Sequence, residues 1–157
     1  MRKNASVSVT TNKAGSGRWA RFALIGLALV GLADSLYLTY VKLVAGGVCI
    51  SGDSCEIVNA SSYSQIGNVP LALLGAGAYL AMLIILWMET YGGFFEFNGP
   101  ILIFGMSLFG VLYSAYLTYL ELYVIRVVCP FCVVSAVVLV LMLAVSGLRV
   151  RQSLKAA

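Results

Sequence analysis

Residues 127–148 read VVCPFCVVSAVVLVLMLAVSGL. These 22 residues carry no charge, and roughly 20 apolar residues suffice to cross a bilayer as a helix. A Cys-x-x-Cys dithiol, a spelling familiar from soluble redox domains, therefore stands at the head of a membrane span. Three more stretches have the required length and apolarity, at 19–44, 70–88 and 100–120.

The rest of the composition agrees. Of the 157 residues, 61% are hydrophobic and 10% charged, and the mean hydropathy is +0.98, outside the range of soluble domains. The apolar runs are continuous rather than alternating, which excludes barrel strands. The expected fold is an all-α membrane protein, a four-transmembrane-helix bundle with an extended outer loop between helices 1 and 2. Small residues in LLGAGAYLA (73–81) and GMSLFG (105–110) are expected to let the helices approach closely.

Eight of the ten Lys and Arg residues lie in 1–21 and 149–157, leaving Lys42 and Arg126 at the other side. By the positive-inside rule both termini are cytoplasmic and the loops 45–69 and 121–127 face outward. Trp19 and Trp87 are expected at the inner interface. The expected division is a cytoplasmic tail at 1–18, a four-helix catalytic bundle at 19–148 and a second cytoplasmic tail at 149–157. The net charge of +4 is a topology signal, with no nucleic-acid partner implied. A cleaved signal peptide ending before Asp34 would strand SLYLTYVKLV without a partner helix, so the first segment is expected to be retained.

DSLYLTYVKL (34–43) and YSAYLTYLEL (113–122) share Ser, Tyr-Leu-Thr-Tyr and Leu. They end the first and third spans, which run parallel, and a cysteine pair follows each. Cys49, Cys55, Cys129 and Cys132 thus converge on the outer face, where thiols are not held reduced. Pro130 suits the first turn of a helix, placing Cys129 near its N-cap, where the dipole favours a thiolate. Cys132 lies one turn inside, facing a dry interior that a lipid-soluble oxidant reaches. The Cys-x5-Cys pair sits in a Gly-, Ser- and Asn-rich loop expected to be polar, adaptable and accessible to proteins. The pattern fits a relay from a partner through the loop pair to CPFC and a quinone. Two structural disulfides are the alternative. The unequal spacing and absence of His argue against zinc.

Asp34 lies inside the first span, where a carboxylate usually faces a cavity or partner; Tyr37 is a candidate partner, and proton delivery to reduced quinone a candidate role. Glu121 is expected to be solvated at the outer interface. Ser135, one turn beyond Cys132, is placed to hydrogen-bond a quinone carbonyl.

With SLYLTYVKL, the loop cysteines, LLGAGAY, SAYLTYLEL and the C-x-x-C opening the last span, residues 20–148 resemble the vitamin K epoxide reductase family, specifically its bacterial thiol:quinone oxidoreductases. The resemblance implies a four-helix bundle around a quinone, ubiquinone or menaquinone, in the bacterial plasma membrane. It implies exchange between Cys55 and Cys129, with Cys132 against the ring and Ser135, Leu71 and Tyr79 around it. Animal members carry Asn near the start of helix 2 and Thr-Tyr after the C-x-x-C, where this chain has Leu71 and Ser135-Ala136; many bacterial members have Gly where it has Asn68. Epoxide reduction is accordingly not expected. The expected electron donor is a separate thioredoxin-like or DsbA-like thiol protein. A DsbB-like oxidase catalyses the same overall reaction with the two cysteine pairs in reverse order, and a tetraspan scaffold with two inert disulfides is the non-enzymatic alternative.

Overall fold

The computed structural model describes residues 4–156 except Gly47 and Ser51. Its main elements are α1 (Asn4–Leu43), α2 (Asp53–Ala60), a hairpin of β1 (Gln65–Ile66) and β2 (Val69–Pro70), α3 (Leu71–Met88), α4 (Phe94–Leu120) and α5 (Pro130–Ala156). Four stretches are long and apolar enough to cross a membrane: Arg18–Leu43, Leu71–Tyr91, Asn98–Ile125 and Pro130–Lys155. They correspond to the four expected spans, and α1 and α5 continue as helix into the basic segments beyond them.

The loop between the first two spans differs from the adaptable segment expected. Asp53 and Glu56 occupy the first turn of α2, where carboxylates complement the positive helix end. Cys55 and Val58, three residues apart, form its buried face. The remainder returns through the antiparallel pairs Gln65–Pro70 and Ile66–Val69, which deliver the chain to the start of α3.

Packing is uneven around the bundle. α1 lies against α3 and α5, and α4 lies against α5, whereas α3 and α4 touch only thinly. The core joins Leu24 and Ala28 of α1, Met82 and Leu86 of α3, Ile103 of α4, and Val138 and Met142 of α5. Close fit rather than removal from water stabilises such contacts in lipid. Of the small residues expected to permit close approach, Gly75 faces Ser35 and Gly110 faces Leu139, but Gly77 and Gly105 have no neighbour within 4 Å of where a Cβ would stand. Gly105 instead lines the opening between α3 and α4. Phe109, Leu112, Val137 and Val140 are exposed around the outside, as a lipid-facing surface requires.

At the end of the bundle away from the cysteines, Arg149 donates to both oxygens of Glu89, at 3.4 and 2.9 Å. Both side chains are largely buried. Arg149 is thus more than a topology signal: it clamps the end of α3 to α5, and removing one partner would strand a buried charge at a cost of about 3–5 kcal/mol.

Candidate redox site

The dithiol is built by the start of α5. Pro130 occupies the first helical position, where its missing N–H costs nothing, and the Cys129 carbonyl accepts the Val133 N–H at 3.2 Å. Cys129 is therefore the N-cap residue and Cys132 the third residue of the helix. Both thiols are free; Cys129 is buried and Cys132 partly so. The Cys132 thiol donates to Cys129 Sγ. This bond first, with the N–H groups of Cys132 and Phe131, holds the Cys129 thiol down to about 7, against burial and the nearby Glu121 carboxylate. Thiolate character consequently rests on Cys129.

Cys49 and Cys55 are joined in a disulfide with a Cα–Cα separation of 6.0 Å. Cys49 is 6% exposed and Cys55 fully buried, which corrects the expectation of a pair open to soluble proteins. The reason is α2, whose apolar face turns Cys55 inward. Cys49, Cys55 and Cys129 pack in one cluster with Val41 and Val58, and Cys132 lies against it. All four cysteines thus meet at one end of the bundle.

Side chains from α1 hold the loop over this cluster. Lys42 Nζ donates to the Asn59 carbonyl at 2.9 Å and also to Ser64 Oγ. The Cys49 N–H donates to Glu56 Oε1 at 3.2 Å. The Ile50 N–H donates to Tyr37 Oη at 2.9 Å, and the Tyr37 ring meets Phe131, inside the CPFC motif, at 4.9 Å. Sequence reading had offered Tyr37 as a partner for Asp34; it serves the loop instead. Among the described residues, Asp34 Oδ2 is buried without a hydrogen-bond partner.

Below the dithiol lies a cavity of about 830 Å3 between α3, α4 and α5, lined by Leu71, Tyr79, Cys129, Cys132 and Ser135, with Asp34 at its wall. All four residues expected around a quinone (Leu71, Tyr79, Cys132 and Ser135) therefore line one chamber. Its size lies within the range of small-molecule sites, and the thin α3–α4 contact opens it toward lipid. Tyr79 Oη and Ser135 Oγ are 3.1 Å apart, a hydroxyl pair able to meet a carbonyl oxygen. Tyr79 reaches this position across Gly31, where a Cβ would collide with the ring.

Glu121, expected to be solvated at the outer interface, is buried instead. A π-helical turn, Glu121–Ile125, ends the third span; Arg126 closes it in the left-handed region at φ 58°, and the Val127 N–H returns to the Glu121 carbonyl at 3.1 Å. The wider turn rotates Glu121 inward to 4% exposure. Its Oε2 accepts the Cys129 N–H at 3.3 Å, and the residue lines the same cavity as Cys132. An acid in the last turn of an apolar span, just ahead of a Cys-x-x-Cys, was the available signal.

The family model of the vitamin K epoxide reductase family matches residues 22–146. The chain belongs to that family, and so to a group of membrane thiol-disulfide oxidoreductases that act with quinones in general. No curated protein matches it.

Proposed function

We propose, from this membership and the site, that the protein is a thiol:quinone oxidoreductase of the bacterial plasma membrane that supports disulfide bond formation. A reduced thioredoxin-like or DsbA-like protein on the extracytoplasmic side gives its electrons to Cys49–Cys55. The loop dithiol passes them by exchange to Cys129–Cys132, and these pass them to a membrane quinone. The observation that carries this reading is that Cys129 packs against the loop disulfide while Cys132, one turn on, lines the apolar cavity. The excess of Lys and Arg at the opposite end supports cytoplasmic termini.

A quinone supplies a two-electron, two-proton acceptor that reaches the chamber through lipid. Leu71 and the apolar wall would hold its ring and tail, Tyr79 and Ser135 would orient a carbonyl oxygen, and the bundle would exclude water. Cys129 is the acidic thiol and accepts exchange from Cys55; Cys132 faces the ring. The partner must first draw the loop aside, since neither loop sulfur is exposed. Val48 and Ile50 flank Cys49 and are well exposed, giving such a partner an apolar hold.

That same burial is also what an inert, structural loop disulfide would show, as in the scaffold alternative. Purified protein in lipid, given a reduced thioredoxin-like protein and a water-soluble quinone analogue, decides between them. The relay gives quinone reduction that stops when any of the four cysteines is replaced; the scaffold gives none, and its loop disulfide resists the partner.

A further inference from the structure

Glu121 is a buried acid for which the relay has no use so far. Taking a carboxylate out of water is expensive unless it is paired, and among the described residues no cation is paired with it. The titratable groups lining its cavity are Asp34, Tyr63, Tyr79, Tyr113, Cys129 and Cys132, and no Lys or Arg among the described residues lines it. It is held instead at the dithiol: its Oε2 accepts the N–H of Cys129 at 3.3 Å, and Glu121 lines the same cavity as Cys129 and Cys132. The π turn that aims it there is a local departure of a kind that often marks functional positions.

We propose that Glu121 is the proton-exchange partner of Cys132. When the Cys132 sulfur attacks, the thiol proton passes to the Glu121 carboxylate, giving thiolate and carboxylic acid. When Cys132 leaves a disulfide, the same proton returns from the carboxylic acid to the sulfur. Glu121 is itself only 4% exposed, which shields this exchange from bulk water. The Cys129 N–H anchors Oε2, which keeps the carboxylate on station while the disulfide opens and closes. This inference rests on CPFC being the working dithiol, not on the identity of the final acceptor.

The test uses full-length protein in lipid with Cys49→Ala and Cys55→Ala, reduced so that Cys129 and Cys132 are the only thiols. A dipyridyl disulfide is added and thiopyridone release followed. Cys129 attacks first, forming a mixed disulfide and releasing one thiopyridone. Cys132 then gives up its proton and attacks the Cys129 sulfur; the Cys129–Cys132 bond forms, the Cys129–probe bond breaks, and the second thiopyridone leaves. With Glu121→Gln, which still accepts the Cys129 N–H, the first phase is expected to stay at least as fast. The second slows roughly a hundredfold at neutral pH, as loss of a general base does, and recovers as pH rises. Glu121→Asp, keeping a carboxylate, restores most of the second phase.

A second phase in Glu121→Gln as fast as in the parent overturns the proposal and makes the carboxylate an electrostatic brake. An Asp variant as slow as Gln, or slowing of both phases without recovery at high pH, overturns it in favour of a packing role. A parent protein whose thiols ignore the probe removes the dithiol reading itself, and the proposal with it.

Discussion

The Tyr37 ring lies 4.9 Å from the ring of Phe131, tilted by 39°, while its hydroxyl accepts the N–H of Ile50 beside Cys49. One side chain of α1 thus registers the loop disulfide against the CPFC turn. Tyr37→Ala removes both contacts and is expected to slow exchange between the pairs at least about tenfold without preventing insertion. Tyr37→Phe forfeits only one hydrogen bond, about 1 kcal/mol, and should retain most of the exchange. The check is rapid acid quench and alkylation after reducing the loop pair. Equal behaviour of Ala and wild type would show that the registration is unused.

The order of exchange is open to trapping. If Cys55 reaches Cys129, Cys132→Ser blocks resolution and a Cys55–Cys129 bridge accumulates for mass spectrometry to map. A Cys49–Cys129 bridge would reverse the roles within the loop. Each of the four Cys→Ser variants is expected to insert and to fail in steady-state quinone reduction.

Cys129 gives a pH prediction. Its folded value of about 7 lies below its ordinary 9.0, so the folded state favours the thiolate. The stability this contributes is fully present above about 9 and is lost as pH falls through about 7. Alkylation of reduced protein at Cys129, read by peptide mapping, should rise with a midpoint near 7. Cys132→Ala removes the largest cause and moves that midpoint upward; an unmoved midpoint would assign the shift to the helix start instead.

The quinone chamber is tested at Gly31. A methyl group at this position would overlap the Tyr79 ring, and overpacking of this kind costs about 1–3 kcal/mol. Gly31→Ala is expected to displace Tyr79 from Ser135 and raise the KM for quinone severalfold while exchange between the cysteine pairs continues. A rise in KM shared by Tyr79→Phe would locate the effect in the hydroxyl pair; an unchanged KM in both would remove Tyr79 from the quinone site.

Much of this site is legible in the chain. Uninterrupted apolar runs specify the four spans, Pro130 marks the start of α5, and the repeated Tyr-Leu-Thr-Tyr segments bring both cysteine pairs to one end. What escaped has particular causes. Gly, Ser and Asn in 46–68 obscured α2, although Asp53 and Glu56 in its first turn were a helix-start signal. Its inward face then buried Cys55, a tertiary outcome that spacing does not carry. ELYVI looks like the end of an ordinary helix, and only the wider hydrogen-bond pattern of the π turn brings Glu121 inside. Asp34 was recognised as costly in a span, but the nearby Tyr37 went to the loop because the Ile50 N–H lay within its reach.

Electron transfer to quinone requires Cys132 to face the ring. A thiolate beside an electron-poor ring donates charge to it, so Cys129→Ser protein, with Cys132 left unpaired, should develop a visible absorption band on adding quinone. The band is expected to strengthen with rising pH, to be absent in Cys132→Ser controls, and to accompany protection of Cys132 from alkylation. If Cys129→Ser protein with quinone shows no band from mildly acidic to alkaline pH, and Cys132 is alkylated as fast with quinone as without it, the ring does not lie beside Cys132 and the relay to quinone is contradicted.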